Sequence, residues 1–144
     1  MRVCLLVLML AVTRSLGAQL RGEAAIDYVR AAHERVEVSI GAAGRLGNYL
    51  RPTLRFSADV WNGADTSAVL RAEYVVRFML DPLGQTAWGL SVGAGLGYRA
   101  RPYLALVADL EAGRNPRFRP ALQVTLGGGT RLGVVIRRST RGLR

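Results

Sequence analysis

The chain has 144 residues, a length suited to one domain, and its 20 basic residues, all arginine, face 10 acidic residues. A formal net charge of +10 would suit an anionic partner, but no nucleic-acid-binding motif occurs, so that class of partner is disfavoured. The single cysteine, Cys4, lies in the first segment. The rest of the chain therefore has no disulfide framework and no cysteine metal site.

The first segment predicts a secretory signal peptide. Met1 and Arg2 precede the apolar run VCLLVLMLAV, and TRSLGAQ then supplies the small residues of a cleavage site. We expect cleavage after Ala18, so residues 1–18 form the leader and residues 19–144 form the exported domain. The apolar run is too short to remain as an anchor, because the hydrocarbon core of a bilayer is about 30 Å thick.

The exported domain alternates apolar residues at even positions with small or charged residues at odd positions, which is typical of strands with two unlike faces. The alternation covers residues 35–46, 50–61, 67–80, 88–99, 118–132 and a run that starts at Pro102; the odd set includes Trp61. Turn-forming clusters separate these runs, and they are Gly47-Asn48, NGAD at 62–65, DPLG at 81–84 and GRNP at 113–116.

Two segments decide the number of strands. Residues 23–33 fit a strand by their alternation and a short helix by their alanine content, and the GGG at 127–129 is either a hairpin turn or part of one strand. If residues 23–33 form a strand and GGG forms a turn, the domain has eight strands. The contrary readings of both segments leave six.

Three features favour strands that cross a membrane over those of a soluble sandwich. The strands run to about 10–14 residues, whereas strands in soluble sheets average about 5–6. Glycine weakens a solvent-exposed strand face, but Gly93, Gly95 and Gly97 would suit the inside of a narrow barrel. Trp88 and Tyr98 share a face at a spacing of roughly 23 Å along the membrane normal, close to the separation of the aromatic girdles of membrane barrels. We therefore predict a closed up-and-down antiparallel transmembrane β-barrel with its even positions facing lipid.

Charged residues at odd positions would then meet inside the barrel, where they must pair because an isolated buried charge is prohibitive. We expect Asp109 and Glu111 to pair with Arg71 and Arg77 rather than to form a paired-acid catalytic site. The predicted lumen network consists of Arg55, Arg71, Glu73, Arg77, Asp109 and Glu111. The glycines would leave space inside the barrel for these charged side chains.

Arginines at the strand ends form a second candidate site. Guanidinium groups suit phosphates, which the lipids of an outer leaflet supply. The candidates for headgroup contact are Arg99, Arg101, Arg114 and Arg117, and Arg45, Arg51, Arg119 and Arg131 occupy similar positions.

The leader, the alternating segments, strands such as GLSVGAGLGYR and the short turns together resemble the small outer-membrane β-barrels of Gram-negative-type bacteria, of the OmpX and OmpA-transmembrane-domain kind. The resemblance implies a monomer in the bacterial outer membrane, with membrane lipids and the barrel-assembly machinery as partners. It also implies a non-enzymatic structural or surface-interaction role, with no open pore and no cofactor. The chain departs from the resemblance at its end, where RRSTRGLR stands in place of the usual terminal aromatic residue.

Two alternatives stay open at this point. A soluble periplasmic or secreted barrel could turn the even-numbered face inward and bind a small apolar ligand. A lipid-acting barrel enzyme could use His33, which precedes Glu34; Ser39, Ser57 and Ser91 are candidate nucleophiles by residue type alone.

Overall fold

The computed structural model describes residues 20–62, 69–81, 83, 85–112 and 118–138. Antiparallel strands follow one another in chain order around a closed barrel, and β8 pairs with β1 to complete it. The strands are β1 (Arg21–Arg30), β2 (Arg35–Ala43), β3 (Leu50–Asn62), β4 (Leu70–Met79), β5 (Trp88–Arg99), β6 (Arg101–Ala112), β7 (Phe118–Leu126) and β8 (Thr130–Arg138). In these described ranges, no helix is long and apolar enough to span a membrane.

The structure confirms the eight-strand reading of both ambiguous segments. Most of residues 23–33 belongs to β1, and His33 lies in the connection that follows. The glycines at 127–129 all have positive φ and form the turn between β7 and β8. The predicted leader at residues 1–18 and the NGAD and GRNP clusters lie outside the described residues or at their edge.

The barrel has two unlike ends. At the terminal end, β1, β3, β5 and β7 begin and β2, β4, β6 and β8 end. At the distal end, Ala100 alone joins β5 to β6, between the paired residues Arg99 and Arg101. Its φ of 67° is uncommon for a residue with a side chain. The sequence has no glycine or asparagine at this point, so no turn-forming residue type indicates this connection.

The two faces of the sheet carry the side chains that the alternation predicts, with even positions outside and odd positions inside. Leu54 and Val92, at even positions, are 38% and 44% exposed on the outside. Arg77 and Arg131, at odd positions, are each 1% exposed inside the barrel. A soluble barrel that holds an apolar ligand would need the opposite arrangement, because its apolar residues would line the interior.

A β-bulge in β3 overturns one assignment. Val36 pairs with Trp61 and Glu37 pairs with Asp59, which leaves Val60 as an extra residue between them. An inserted residue exchanges the two faces of a strand beyond it. Trp61 is therefore 53% exposed on the outside, and the prediction that it belongs to the inward set is wrong.

Aromatic residues mark both rims of the outer face. Trp88 and Tyr98 are both exposed at opposite ends of β5, as their spacing predicts. Tyr49 stacks on Phe78 at the terminal end, with 5.5 Å between the ring centroids. Among the described residues, the exposed aromatic side chains are Tyr49, Phe78, Trp88 and Phe118 at the terminal end, Tyr28, Trp61 and Tyr98 at the distal end, and Phe56 at the middle of β3. This is the arrangement in which membrane barrels place amphipathic rings.

The glycines of β5 allow its close approach to β4. A Cβ atom on Gly93 would lie 2.6 Å from the carbonyl oxygen of Val76 and 3.0 Å from the Cγ of Arg77. A Cβ atom on Gly95 would collide with the carbonyl oxygen of Tyr74. Gly93 therefore does make room for a lumen arginine, as expected, whereas Gly95 makes room for backbone.

Alanine at Gly95 should lower the free energy of unfolding by about 1–3 kcal/mol, since the added atom forces two strands apart in a closed sheet. The measurement is the urea midpoint of the barrel in phosphatidylcholine vesicles, followed by the mobility difference between boiled and unboiled samples. Gly22→Ala is the matched control, because a Cβ atom there has no neighbour within 4 Å. Equal midpoints for the two variants would show that the close approach at Gly95 is absent.

Candidate functional site

The lumen of the barrel is the most highly charged region of the described chain. Seven of the ten acidic residues in the sequence are buried there, and they are Glu23, Asp27, Glu37, Asp59, Glu73, Asp109 and Glu111. Burial of a carboxylate is costly unless cations and hydrogen bonds compensate it. The lumen arginines provide this compensation in two networks, one toward each end.

Glu23 is the centre of the terminal-end network. One of its oxygens, Oε1, accepts hydrogen bonds from Arg137 Nε at 2.8 Å and from Arg77 Nη1 at 3.1 Å, and Oε2 lies 3.5 Å from Arg55 Nη2. Asp109 Oδ2 accepts a hydrogen bond from Arg137 Nη2 at 2.8 Å and lies 3.4 Å from Arg77 Nε. Five strands, β1, β3, β4, β6 and β8, are thereby tied together.

Glu111 extends this network to the mouth of the terminal end. Its Oε2 accepts hydrogen bonds from Arg51 Nη1 at 3.2 Å and Arg137 Nη1 at 3.1 Å, and its Oε1 accepts one from Arg119 Nη1 at 2.9 Å. Both oxygens of this carboxylate are thus already occupied by guanidinium groups.

The distal-end network is built around Glu37 and Asp59, which pair across β2 and β3. Glu37 Oε1 accepts hydrogen bonds from Arg35 Nε at 2.7 Å and Arg71 Nη2 at 2.8 Å. Asp59 Oδ2 accepts one from Arg99 Nη2 at 2.6 Å, and its Oδ1 lies 3.7 Å from Arg35 Nε. Each arginine named here therefore has a carboxylate partner.

Tyr103 completes the distal-end network from inside the barrel. Its hydroxyl donates to Glu73 Oε1 at 2.5 Å, and two nitrogens of Arg131 donate to the same carboxylate. The guanidinium of Arg71 lies 5.7 Å from the centroid of the Tyr103 ring, within cation–π range. A Cβ atom on Gly97 would meet this ring, so the glycine makes room for Tyr103 rather than for a charged side chain.

Small apolar side chains form two clusters inside the barrel, one of Ala25, Ala121 and Val135 and one of Val75, Ala105 and Val107. Polar contacts also extend from the terminal-end network toward the middle of the lumen. Arg55 Nη1 lies 3.9 Å from Asp27 Oδ2, and Arg55 Nη2 donates to Gln123 Oε1 at 2.8 Å. The lumen between the two networks therefore contains both apolar and polar side chains.

The structure places all six residues of the predicted network in the lumen, but it pairs most of them differently. Arg77 and Asp109 do meet, at 3.4 Å. Glu111 contacts arginines other than the expected Arg71 and Arg77, and Arg71 reaches Glu37. The residues that sequence reasoning missed include Glu23, Glu37, Arg35 and Arg137. Their odd positions carry the same signal of an inward side chain that identified the other six.

The strand-end arginines do not behave as one set. Arg99 donates to Asp59 from a partly buried position, and Arg101 is exposed at the distal end. Arg51 and Arg131 are buried in the lumen, where they contact Glu111 and Glu73. Arg114 and Arg117 lie outside the described residues, in the connection between β6 and β7.

Arginines also face each other across neighbouring strands. Arg51 pairs in register with Arg77 across β3 and β4, and Arg119 pairs with Arg137 across β7 and β8. Like charges in such positions repel. Carboxylates on β1 and β6, namely Glu23, Asp109 and Glu111, supply the balancing charge.

Residues suited to catalysis are scattered. His33 is exposed in the connection between β1 and β2, whereas Ser39, Ser57 and Ser91 are buried in the lumen. Over the described ranges, histidine and serine form no hydrogen-bonded pair, and no group of three or more His, Cys, Asp or Glu residues could hold a metal ion.

No protein-family model matches the chain, and no curated protein matches it in sequence. The solved structures that are similar in fold include the following two. One comes from the de novo design of transmembrane β-barrels, with a TM-score of 0.60 and 15% identity over 83% of this chain and 92% of that chain. The other is the crystal structure of neisserial surface protein A, with a TM-score of 0.63 and 12% identity over 83% of this chain and 94% of that chain. The chain therefore shares the closed-barrel fold of a designed transmembrane protein and of a neisserial surface protein.

Proposed function

We propose that the protein is a small β-barrel of the bacterial outer membrane with a structural or surface-interaction role. The observation that carries the proposal is the distribution of charge between the two faces of the sheet. Between the strand ends, outward-facing residues are uncharged on every described strand, and the inward face holds the ion-pair networks. Water-soluble proteins bury apolar side chains and expose charged ones, so this distribution suits lipid as the surrounding solvent.

The same distribution argues against the soluble apolar-ligand binder. That function needs a cavity lined by the even-numbered set, including Leu54, Val76 and Val92. These side chains lie on the outside, and the interior offers charged groups, which would reject an apolar ligand.

We further propose that the barrel is neither a pore nor an enzyme. The interior of a small eight-stranded barrel is just wide enough for its own side chains. Arg77, Arg131 and Gln123 are among the largest fully buried side chains, and they fill the lumen near both ends. His33 is exposed and remote from the buried serines, which gives it no activated nucleophile to work with.

We also propose how the chain reaches the membrane and which partners it meets there. A leader over residues 1–18 would export the chain, the barrel-assembly machinery would insert it, and the barrel would act as a monomer. Arg101 is exposed at the distal rim, close to where lipid phosphates would lie, and is the better placed of the two described headgroup candidates, since Arg99 is engaged by Asp59.

Expression of the full chain in a Gram-negative host and separation of soluble from outer-membrane fractions tests the proposal. We expect the protein in the outer-membrane fraction, with an unboiled sample that migrates faster than a boiled one. Recovery of folded protein from the soluble periplasm without detergent would refute membrane insertion.

A further inference from the structure

The mouth of the terminal end holds more positive charge than its carboxylate can neutralise. Arg51 on β3 and Arg119 on β7 donate to Glu111 at this mouth. Arg21 begins β1 at the same end and faces inward, since it pairs in register with the buried Ala43. We name these four residues the arginine mouth. Arg137 also contacts Glu111, but Glu23 and Asp109 balance its charge. The arginine mouth thus combines three positive charges with one negative charge.

Arg21 is the arginine without a matching acid. Arg51, Arg119 and Arg45 repel its charge, and Glu111, whose two oxygens are occupied, attracts it. Of the carboxylates that the structure describes, none lies within 4.0 Å of its guanidinium. Its Nε is buried and has no hydrogen-bond partner. A buried charged donor of this kind is costly unless another acceptor reaches it.

The distal-end network shows that this surplus is particular to one end. There, each of Arg35, Arg71, Arg99 and Arg131 contacts a carboxylate, as the networks above describe. A general excess of arginine inside the barrel would leave unmatched inward-facing guanidinium groups at both ends. The unmatched inward-facing group lies instead at the terminal-end mouth, where Arg21 and Arg119 are partly exposed and therefore reachable from outside.

We propose that the arginine mouth binds a phosphate group. The guanidinium fork matches phosphate oxygens, and the unmatched charge of Arg21 suits an anion with several acceptor oxygens. Arg21 donates its free Nε–H to the phosphate, while Arg51 and Arg119 add donors beside Glu111. The same chemistry is offered by inorganic phosphate and by the phosphomonoester of a lipid headgroup; the second source rests on the proposed membrane location.

The test uses the full-length mature barrel folded in phosphatidylcholine vesicles, with inorganic phosphate as the probe and sodium chloride at equal ionic strength as the reference. We expect phosphate to raise the unfolding temperature beyond the effect of chloride, because a ligand that binds only the folded state stabilises it. Arg21→Gln should weaken phosphate binding about tenfold, as measured by calorimetric titration. This variant should fold normally, since Arg21 has no ion pair to lose.

Arg30→Gln is the control, because it removes one positive charge from an exposed position at the opposite end of the same strand, β1. Phosphate binding that is lost in Arg21→Gln and kept in Arg30→Gln supports the site. Equal binding by the two variants, or equal effects of phosphate and chloride on the wild type, overturns it.

A second arm compares phosphatidic acid vesicles, free of added phosphate, with the phosphatidylcholine vesicles. Stabilisation by phosphatidic acid that depends on Arg21 identifies a headgroup, whereas an Arg21-dependent effect of inorganic phosphate alone identifies a soluble ligand. A mobility shift on unboiled gels is recorded for every sample, so failed insertion is recognised as failure of the proposed function. In that case the same titration is run on the soluble folded form, where equal binding by wild type and Arg21→Gln overturns the site.

Discussion

Arginine in place of Val92 should prevent the barrel from inserting into lipid vesicles. Val92 points outward near the middle of β5 and is 44% exposed. A charged side chain on the lipid face costs about 2–4 kcal/mol at the bilayer midplane, and the cost falls to about 0–1 kcal/mol near the interface. The folded fraction is measured as the faster-migrating band of unboiled samples after dilution from urea into phosphatidylcholine vesicles.

Thr130→Arg provides the matched control for position. Thr130 is also exposed and outward-facing, but it begins β8 at the distal rim, where the introduced arginine would reach the headgroups. We expect this variant to insert nearly as well as the wild type. If both variants insert equally, the even-numbered face does not contact hydrocarbon and the proposed membrane location fails.

Alanine in place of Arg137 should produce the largest loss of stability among changes inside the lumen. Its guanidinium donates to Glu23, Asp109 and Glu111, so its removal leaves three buried carboxylates short of a cation. Breaking a buried ion pair by deleting one partner typically costs about 3–5 kcal/mol. We expect a loss of that size in the free energy of unfolding, measured by urea titration of the barrel in vesicles.

The neighbouring arginine separates the effect of the network from that of net charge. Arg138→Ala removes the same charge one residue further along β8, from a side chain that is exposed on the outside. Its effect should stay within about 0.5 kcal/mol, as is usual for surface substitutions. Similar losses in the two variants would mean that the terminal-end network does not hold the barrel together.

Most of the fold could be predicted because the period of a strand links sequence directly to side-chain direction. Alternation over segments such as residues 50–61 and 88–99 indicated long strands, and the same parity indicated which face holds Arg77 and Asp109. It would also have identified Glu23 and Arg137, whose odd positions went unused. The odd or even position of a residue sets its side-chain direction within one strand, so this prediction does not depend on how the strands assemble.

Features that depend on more than one strand were not predictable in this way. Trp61 points outward because a bulge between β2 and β3 exchanges the faces, and no residue type at Val60 signals it. The turn at Ala100 lacks the glycine or asparagine that usually marks a positive φ. The partner of each charge is set by the register around the closed barrel, and so Glu73 meets Arg131 on β8 rather than an arginine of its own strand.

The facing arginines have a consequence for how the barrel forms. In an isolated β3–β4 hairpin, Arg51 and Arg77 would repel each other without relief, and Arg119 and Arg137 would do so in an isolated β7–β8 hairpin. The acids that neutralise them stand on β1 and β6, and β1 meets β8 only when the sheet joins its two edges. Partly assembled sheets are thereby penalised, which makes closure cooperative and gives an open, edge-exposed intermediate little chance to accumulate.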